Sequence, residues 1–314
     1  MTTVDTRVRV GSVELAHAVM TASGTSGHGA ELSPYFDLGS IGAVVVKSLS
    51  AMPWAGNPAP RLHPLRHGMI NAVGLQGPGV DVWFERHLDE LATAGASTVI
   101  SLWGRSVEEY RRAAEIVAER LAVDSPGTAS VRAVEINLSC PNLEGRRGIF
   151  AHDADVSAEV VANCGVVPRP LWAKLSPNTD RLVEVATAVH HAGADAVTLV
   201  NTVVGLVVDD DGDPVLGNGG GGLSGPMIHP VALRAVSDVR AAHPDLPIIG
   251  VGGVTSGANA AALMRAGAQA VQVGTATFAD PRAPMSIAED LVEWAAEQGF
   301  SSLAAITGSR GRGS

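Results

Sequence analysis

Cys140 is one of only two cysteines in a chain of 314 residues, and it stands in Asn137-Leu138-Ser139-Cys140-Pro141-Asn142. The apolar run Val134-Glu135-Ile136 before it reads as a buried strand, and Pro141 breaks regular structure, so the spacing predicts a thiol on a loop at a strand end. A thiol placed there can act as a base or a nucleophile, with the amides of Asn137 and Asn142 supplying donors and acceptors on either side. The competing reading is a buried cysteine that only packs, which is how Cys164 reads within its helix-like run. Lys47 and Lys174 end two other apolar runs. Buried lysines are rare unless paired, and these could form a Schiff base or place a cation beside an electron-rich ring or a ligand carboxylate. His190-His191 is not read as a metal pair, because adjacent residues on a helix do not share a face. Glu119-Arg120 and Arg146-Arg147 read as solvated charge, with Arg146-Arg147 also placed to touch a ligand from a lid.

Eight short, nearly continuous apolar runs must position these groups: residues 18–22, 43–47, 98–102, 133–138, 171–175, 196–200, 247–251 and 270–274. Such runs suit parallel strands buried on both faces. Helical patterns over residues 107–121, 181–191 and 258–266 lie between them. Ala94-Gly95-Ala96, Ala192-Gly193-Ala194 and Ala266-Gly267-Ala268 each precede a strand, as expected of a helix ending at glycine and turning directly into the sheet. Eight alternating units predict an α/β fold, a closed (β/α)8 TIM barrel, with residues 1–314 as one domain. Before the first strand, Val8 to Leu15 reads as a β-hairpin with a Gly-Ser turn that could close the barrel bottom. Inserted connections of about 50 residues after Lys47 and about 45 after Val200 are too long for simple turns and are expected to be functional. The glycine-rich tail from Gly308 is expected to fray.

On these boundaries the chemical residues fall at one end of the strands. Ser23, Lys47, Ser101, Asn137 to Asn142, Lys174, Asn201-Thr202, Gly252-Gly253 and Gly274-Thr275 all lie at or just after a carboxyl end, where barrel active sites are built. Gly250-Val251-Gly252-Gly253 and Val273-Gly274-Thr275 follow the last two strands, the usual place for a phosphate held by backbone N–H groups. The run Gly217–Gly222, followed by Leu223-Ser224-Gly225, reads either as a floppy surface loop or as a wrap around a cofactor's phosphate or ribityl chain.

Composition narrows the class. Hydrophobic residues make up 46% and charged residues 17%, enough for a large core and too few charges for a disordered chain. The net charge of −10 argues against a nucleic-acid surface. Two cysteines cannot hold a four-thiolate cluster, so no metal site is expected in this chain. With neither a leader nor a long apolar segment legible, a cytoplasmic protein that does not span a membrane is expected.

Taken in order, Thr21-Ala22-Ser23-Gly24, Gly56-Asn57-Pro58-Ala59-Pro60-Arg61, Ile70-Asn71-Ala72-Val73-Gly74-Leu75, the Asn137–Asn142 segment, Lys174-Leu175-Ser176-Pro177-Asn178, Gly221–Pro226 and Val273–Ala276 resemble the dihydroorotate dehydrogenase family over nearly the whole chain. The chain is most like the soluble, cysteine-base class 1 enzymes, and among them the NAD-linked (class 1B) FMN-bearing catalytic subunits. The membrane-bound branch has a serine base and an N-terminal extension. The resemblance implies oxidation of dihydroorotate to orotate in pyrimidine biosynthesis, with Cys140 taking a proton from carbon 5 and the hydride of carbon 6 passing to the flavin. It implies substrate contacts from Lys47, Asn71, Val73, Gly74, Leu75, Asn137, Asn142, Asn201 and Thr202. FMN contacts would come from Ala22, Ser23, Lys47, Ser48, Ser101, Asn137, Lys174, Val200, Gly225, Gly252, Gly253, Gly274 and Thr275. It further implies a homodimeric core and a second subunit carrying FAD and an iron–sulfur cluster. Two departures stand out: Gly77 replaces a usual asparagine, and Ser101 replaces an asparagine common in that subclass. The alternatives are a dihydropyrimidine dehydrogenase-like oxidoreductase acting on a substrate without the carboxylate, a Schiff-base barrel lyase using Lys47 or Lys174, and a flavin-binding module without turnover.

Overall fold

The computed structural model describes residues 4–139, 141–142 and 148–309. Eight parallel strands form the core sheet: Val19–Thr21, Val44–Val45, Thr98–Leu102, Val131–Asn137, Leu171–Lys174, Ala196–Leu199, Ile248–Val251 and Ala270–Val273. Neighbours follow chain order, and the eighth strand pairs with the first, Val271 opposite Val19. The circle is completed between the first and second strands, where Gly42 N–H donates to Val19 O at 2.7 Å and Thr21 N–H to Ala43 O at 3.1 Å. The expected (β/α)8 barrel is therefore present, with all eight strands where the apolar runs placed them. Lys47 and Val200 lie just past the last paired residues, because each apolar run outlasts its ladder.

The helices match as closely. Val107–Leu121 is capped by Ser106, whose Oγ accepts from Glu109 N–H at 3.1 Å, and Gly257–Ala266 by Ser256 in the same way. Leu182–His191 is the third expected helix. The repeated Ala-Gly-Ala exits are explained by backbone angle: Gly95, Gly193 and Gly267 have φ of 78°, 108° and 129°, a region that residues with a Cβ occupy only with strain. The hairpin is Val8–Val10 paired with Val13–Leu15. Its turn glycine, Gly11, faces Asp195 and Pro247, which immediately precede or approach the starts of two barrel strands. It thus sits at the barrel bottom, opposite the mouth.

The two long connections differ from the expectation of loops. The first contains strands Leu62–Leu65 and Gly68–Asn71, and the second Val203–Gly205 and Gly221–Ser224. All four join in one antiparallel sheet, with Gly222 opposite Asn71 and Leu223 opposite Ile70. The glycine run is thus partly a central strand of a cover over the mouth rather than a free loop. Close approach explains its composition: a Cβ on Gly221 would lie 2.5 Å from Asn71 O, and one on Gly222 2.1 Å from Thr202 Oγ1. Pro141 does not end all regular structure either. Pro141–Asn142 pairs antiparallel with Gly148–Ile149, with proline at the first position of a strand, where its missing N–H is tolerated. At the C-terminus, Gly308 N–H donates to Met264 O at 3.0 Å, so the start of the expected frayed tail is tied down. Among the described residues no helix is long and apolar enough to cross a membrane.

His17 links this frame to pH. It is buried at the entry to the first barrel strand, and its Nδ1 accepts from Val19 N–H at 3.0 Å. Burial pushes its pKa down from 6.5 to about 4, against a smaller opposing hydrogen bond to the Ala288 backbone. Between those values the unfolded chain binds a proton that the folded chain refuses, so stability present above pH 6.5 declines as pH falls towards 4. Urea denaturation across that range is expected to show the decline, and His17→Asn, whose amide oxygen can still accept from Val19, should make it shallower, the remainder coming from His28, whose pKa burial also lowers to about 4. An identical slope in the variant would remove His17 as a cause.

Candidate active site

A cavity of about 520 Å³ opens at the carboxyl ends of the strands, beneath the cover sheet. Its lining includes Ala22, Ser23, Lys47, Asn71, Asn137, Lys174, Val200, Asn201, Gly225, Gly274 and Thr275, together with Val73-Gly74-Leu75 and Gly252-Gly253. Residues from both insertions and from most of the strand ends therefore meet in one place. Ser101 stands one layer behind, fully buried, with its Oγ 2.9 Å from Ser48 Oγ. Ser48 itself lines the cavity.

One side of the cavity is shaped by backbone. Gly252 and Gly253 follow the seventh strand with φ of 135° and 67°. A Cβ on Gly253 would lie 2.7 Å from His229 Cβ and 2.9 Å from Gly225 O, and one on Gly225 would lie 2.6 Å from Gly68 Cα. Helix His229–Ala242 begins against this turn without a side-chain cap, and His229 Nδ1 donates to Gly252 O at 3.0 Å. Bare backbone beside a helix N-terminus is a setting that favours an anionic group. Thr275 Oγ1 donates to Ser224 Oγ at 2.8 Å and ties the eighth strand's end to the cover.

The floor is polar and hydrogen-bonded. Asn137 Nδ2 donates to Ser48 Oγ at 3.1 Å, and its Oδ1 accepts from Ser139 N–H at 3.3 Å and Asn201 Nδ2 at 3.4 Å. Asn201 Oδ1 accepts from Thr202 N–H at 2.8 Å. This chain fixes which edge of each amide is available to a ligand. Asn71 Nδ2 donates to Gly222 O at 3.3 Å, across the junction of the two insertions. Lys174 is buried; its Nζ donates to Ser23 Oγ at 3.1 Å and lies 3.8 Å from Glu135 Oε1. Burial, reinforced by the charge of Arg61, lowers the pKa of Lys47 from its ordinary value.

Motif reading passed over the residues that hold the contact loops. Trp54 Nε1 donates to Gly74 O at 3.0 Å, Asn57 N–H to Val73 O at 3.1 Å and Asn57 Nδ2 to Ala72 O at 3.0 Å. These bonds hold Leu75 at φ 61°, the one described non-glycine residue in that region. Asn178 performs the same service opposite, donating to Thr202 O and accepting from Val204 N–H, both at 2.9 Å. Asn57 and Asn178 were present in the quoted motifs, so their signal was legible. Trp54 had none beyond being an aromatic residue in a long insertion.

Cys140 lies outside the described residues, as do Arg146 and Arg147. Asn142 is placed by its backbone ladder alone. Cys164 is fully buried, and burial pushes its thiol up to about 12, in keeping with a packing role. His190 Nδ1 donates to Ala194 O at 3.2 Å. No group of three or more metal-ligating side chains is found among the described residues.

The barrel and its furnished mouth define an α/β barrel enzyme. Residues 6–294 match the dihydroorotate dehydrogenase family, and the chain belongs to it. The chain is 43% identical over 306 residues to the dihydroorotate dehydrogenase B (NAD(+)) catalytic subunit of Geobacter sp. (strain M21), covering 97% of each. It is 43% identical over 303 residues to that of Trichlorobacter lovleyi, covering 96% of this chain and 97% of the relative. For the subunit of Alkaliphilus metalliredigens the figures are 41% over 311 residues, 98% of this chain and all of the relative.

The glycine turn yields a test. Gly253→Ala is expected to lower flavin affinity by about tenfold or more, because the added methyl must displace His229 or Gly225 in a backbone already held at positive φ. Fluorescence titration of the apoprotein measures this, and an unchanged affinity would take the turn out of the site.

Proposed function

We propose that this chain oxidises dihydroorotate to orotate in pyrimidine biosynthesis, with FMN bound in the mouth, and delivers the electrons to a separate subunit. The observation that carries the reading is the amide network of Asn137 and Asn201, in a cavity it shares with the buried Lys174, the half-buried Lys47 and a side-chain-free glycine turn. A dihydropyrimidine ring presents alternating N–H and C=O groups, which asparagine amides can match in either sense. The turn at Gly252-Gly253, with Gly225, Gly274 and Thr275, suits the FMN phosphate. Ala22, Ser23, Ser48, Val200 and Lys174 would hold the remainder of the cofactor, with Ser101 supporting Ser48 from behind.

FMN bound there supplies a two-electron acceptor for the hydride of carbon 6. The protein's own tasks are placement and proton transfer. Asn71, Asn137, Asn142, Asn201 and Thr202 orient the ring, and Val73-Gly74-Leu75 closes over it from the cover. Lys47 stands where cofactor and substrate meet. Cys140 Sγ takes the proton of carbon 5, leaving the double bond between carbons 5 and 6. A thiol near cations is suited to this, because lowering its pKa raises the thiolate fraction at neutral pH. The lyase alternative gains little from Lys174, whose Nζ is engaged by Ser23 Oγ and faces Glu135. Family membership favours the oxidoreductase.

The relatives' names, catalytic subunit and NAD(+), support a partner subunit, which we assign FAD and an iron–sulfur cluster, with NAD as final acceptor. A homodimeric core in the cytoplasm completes the reading.

Cys140→Ala is expected to retain yellow, FMN-bearing protein and to slow flavin reduction by dihydroorotate by about 10²- to 10⁴-fold, the usual worth of a positioned base. Anaerobic stopped flow measures it, and undiminished reduction would reject Cys140 as the base. Reoxidation of the dihydroorotate-reduced protein, alone and with its co-purified partner, by NAD, fumarate and quinone tests the acceptor. NAD should serve only when the partner is present.

A further inference from the structure

Glu135 is a fully buried carboxylate in the middle of the fourth barrel strand, two residues before Asn137 and so on the same face of that strand. The proposed chemistry makes no use of it. Three other strands converge on it inside the barrel. Gln272 Nε2, from the eighth strand, donates to Glu135 Oε2 at 2.7 Å, and Thr198 Oγ1, from the sixth, donates to the same oxygen at 3.1 Å. The other oxygen, Oε1, accepts no hydrogen bond. It lies 3.8 Å from Lys174 Nζ on the fifth strand, too far for a hydrogen bond and close enough for strong attraction in a dry interior.

This arrangement is unusual for a pair kept only for stability. A buried ion pair gains little over apolar packing of the same volume, and an incompletely bonded one gains less. Lys174 Nζ reaches its hydrogen bond with Ser23 at the cavity wall while its charge faces Glu135 below. The carboxylate, pinned by Gln272 and Thr198 through one oxygen, is thereby fixed beneath the ammonium with the other.

We propose that Glu135 is a positioning residue, a buried counter-charge that locates the Lys174 ammonium and sets how much net positive charge a flavin in the mouth experiences. With both partners present, the lysine can donate a hydrogen bond into the mouth while most of its long-range field is cancelled from behind. The inference rests on the flavin reading of the site and deepens it.

The test is the affinity of the oxidised FMN-bearing protein for sulfite, which adds to flavin as an anion and is held more tightly when positive charge lies near the ring. Glu135→Gln preserves shape, and its amide oxygen can still accept from Gln272 and Thr198, but it leaves the lysine's charge uncompensated. An uncancelled charge at the cavity wall would be worth about tenfold or more in affinity for an anion added to a flavin held there, so sulfite should bind at least that much more tightly. Glu135→Asp, which keeps the charge but withdraws it by one methylene, should fall between the two. If Glu135→Gln does not accumulate as folded holoprotein, Glu135→Asp carries the test alone, with sulfite expected about threefold tighter. Sulfite affinity equal to or weaker than that of the parent protein, with bound flavin and only thermal stability reduced, would overturn the proposal and leave Glu135 a structural residue. A parent protein that binds no flavin would instead overturn the flavin reading itself.

Discussion

Closure of the parallel sheet is the constraint on which the mouth depends, because only a closed circle of strands brings every carboxyl end to one rim. The circle is narrowest in hydrogen bonds where the second strand, Val44–Val45, meets the first. There Thr21 serves with its side chain as well as its backbone: its Oγ1 accepts from Val45 N–H at 2.9 Å and from Ser26 Oγ at 3.2 Å. Gly42 allows the approach, since a Cβ at that position would lie 2.2 Å from His17 O. The seam is therefore held by a threonine and a glycine rather than by a long ladder, and Ser23 and Lys47 enter the cavity from its two sides.

A second constraint follows from placing charge inside such a circle. The barrel interior is packed, and polar groups there must find partners within it. The amides of Asn137 and Asn201, the hydroxyls of Ser48 and Ser101 and the charges of Glu135 and Lys174 form connected sets running from strand to strand. Ser101 fits this order: its hydroxyl bonds Ser48, which in turn accepts from Asn137.

Much of this was legible in the sequence, for identifiable reasons. Parallel strands buried on both faces leave uninterrupted apolar runs, and these gave all eight strands. The Ala-Gly-Ala exits marked helix ends because the required φ is one that glycine alone adopts freely. Clustering of lysine, asparagine and glycine after strand ends located the mouth. What escaped was long-range pairing. Nothing local in Gly217–Gly222 announces a strand, since its partner, Gly68–Asn71, lies about 150 residues earlier and the pairing is a property of both segments together. Glu135 escaped for a related reason: a single acidic residue within an apolar run acquires meaning only when Gln272, Thr198 and Lys174 are brought around it.

The cover sheet has two edges, and they are chemically unequal. In its outer hairpin Arg61 O accepts from Ala72 N–H at 2.8 Å, so alternate residues point their backbone groups outward, and Pro64 is among them. Proline has no N–H to offer, so this edge cannot continue the ladder past that point. The opposite edge, Val203–Gly205, carries no proline, but its outward N–H, that of Val204, is already donated to Asn178 Oδ1 at 2.9 Å. The cover thus blunts its two edges by different means: one has no hydrogen to offer at its proline, and the other has spent its hydrogen on a side chain.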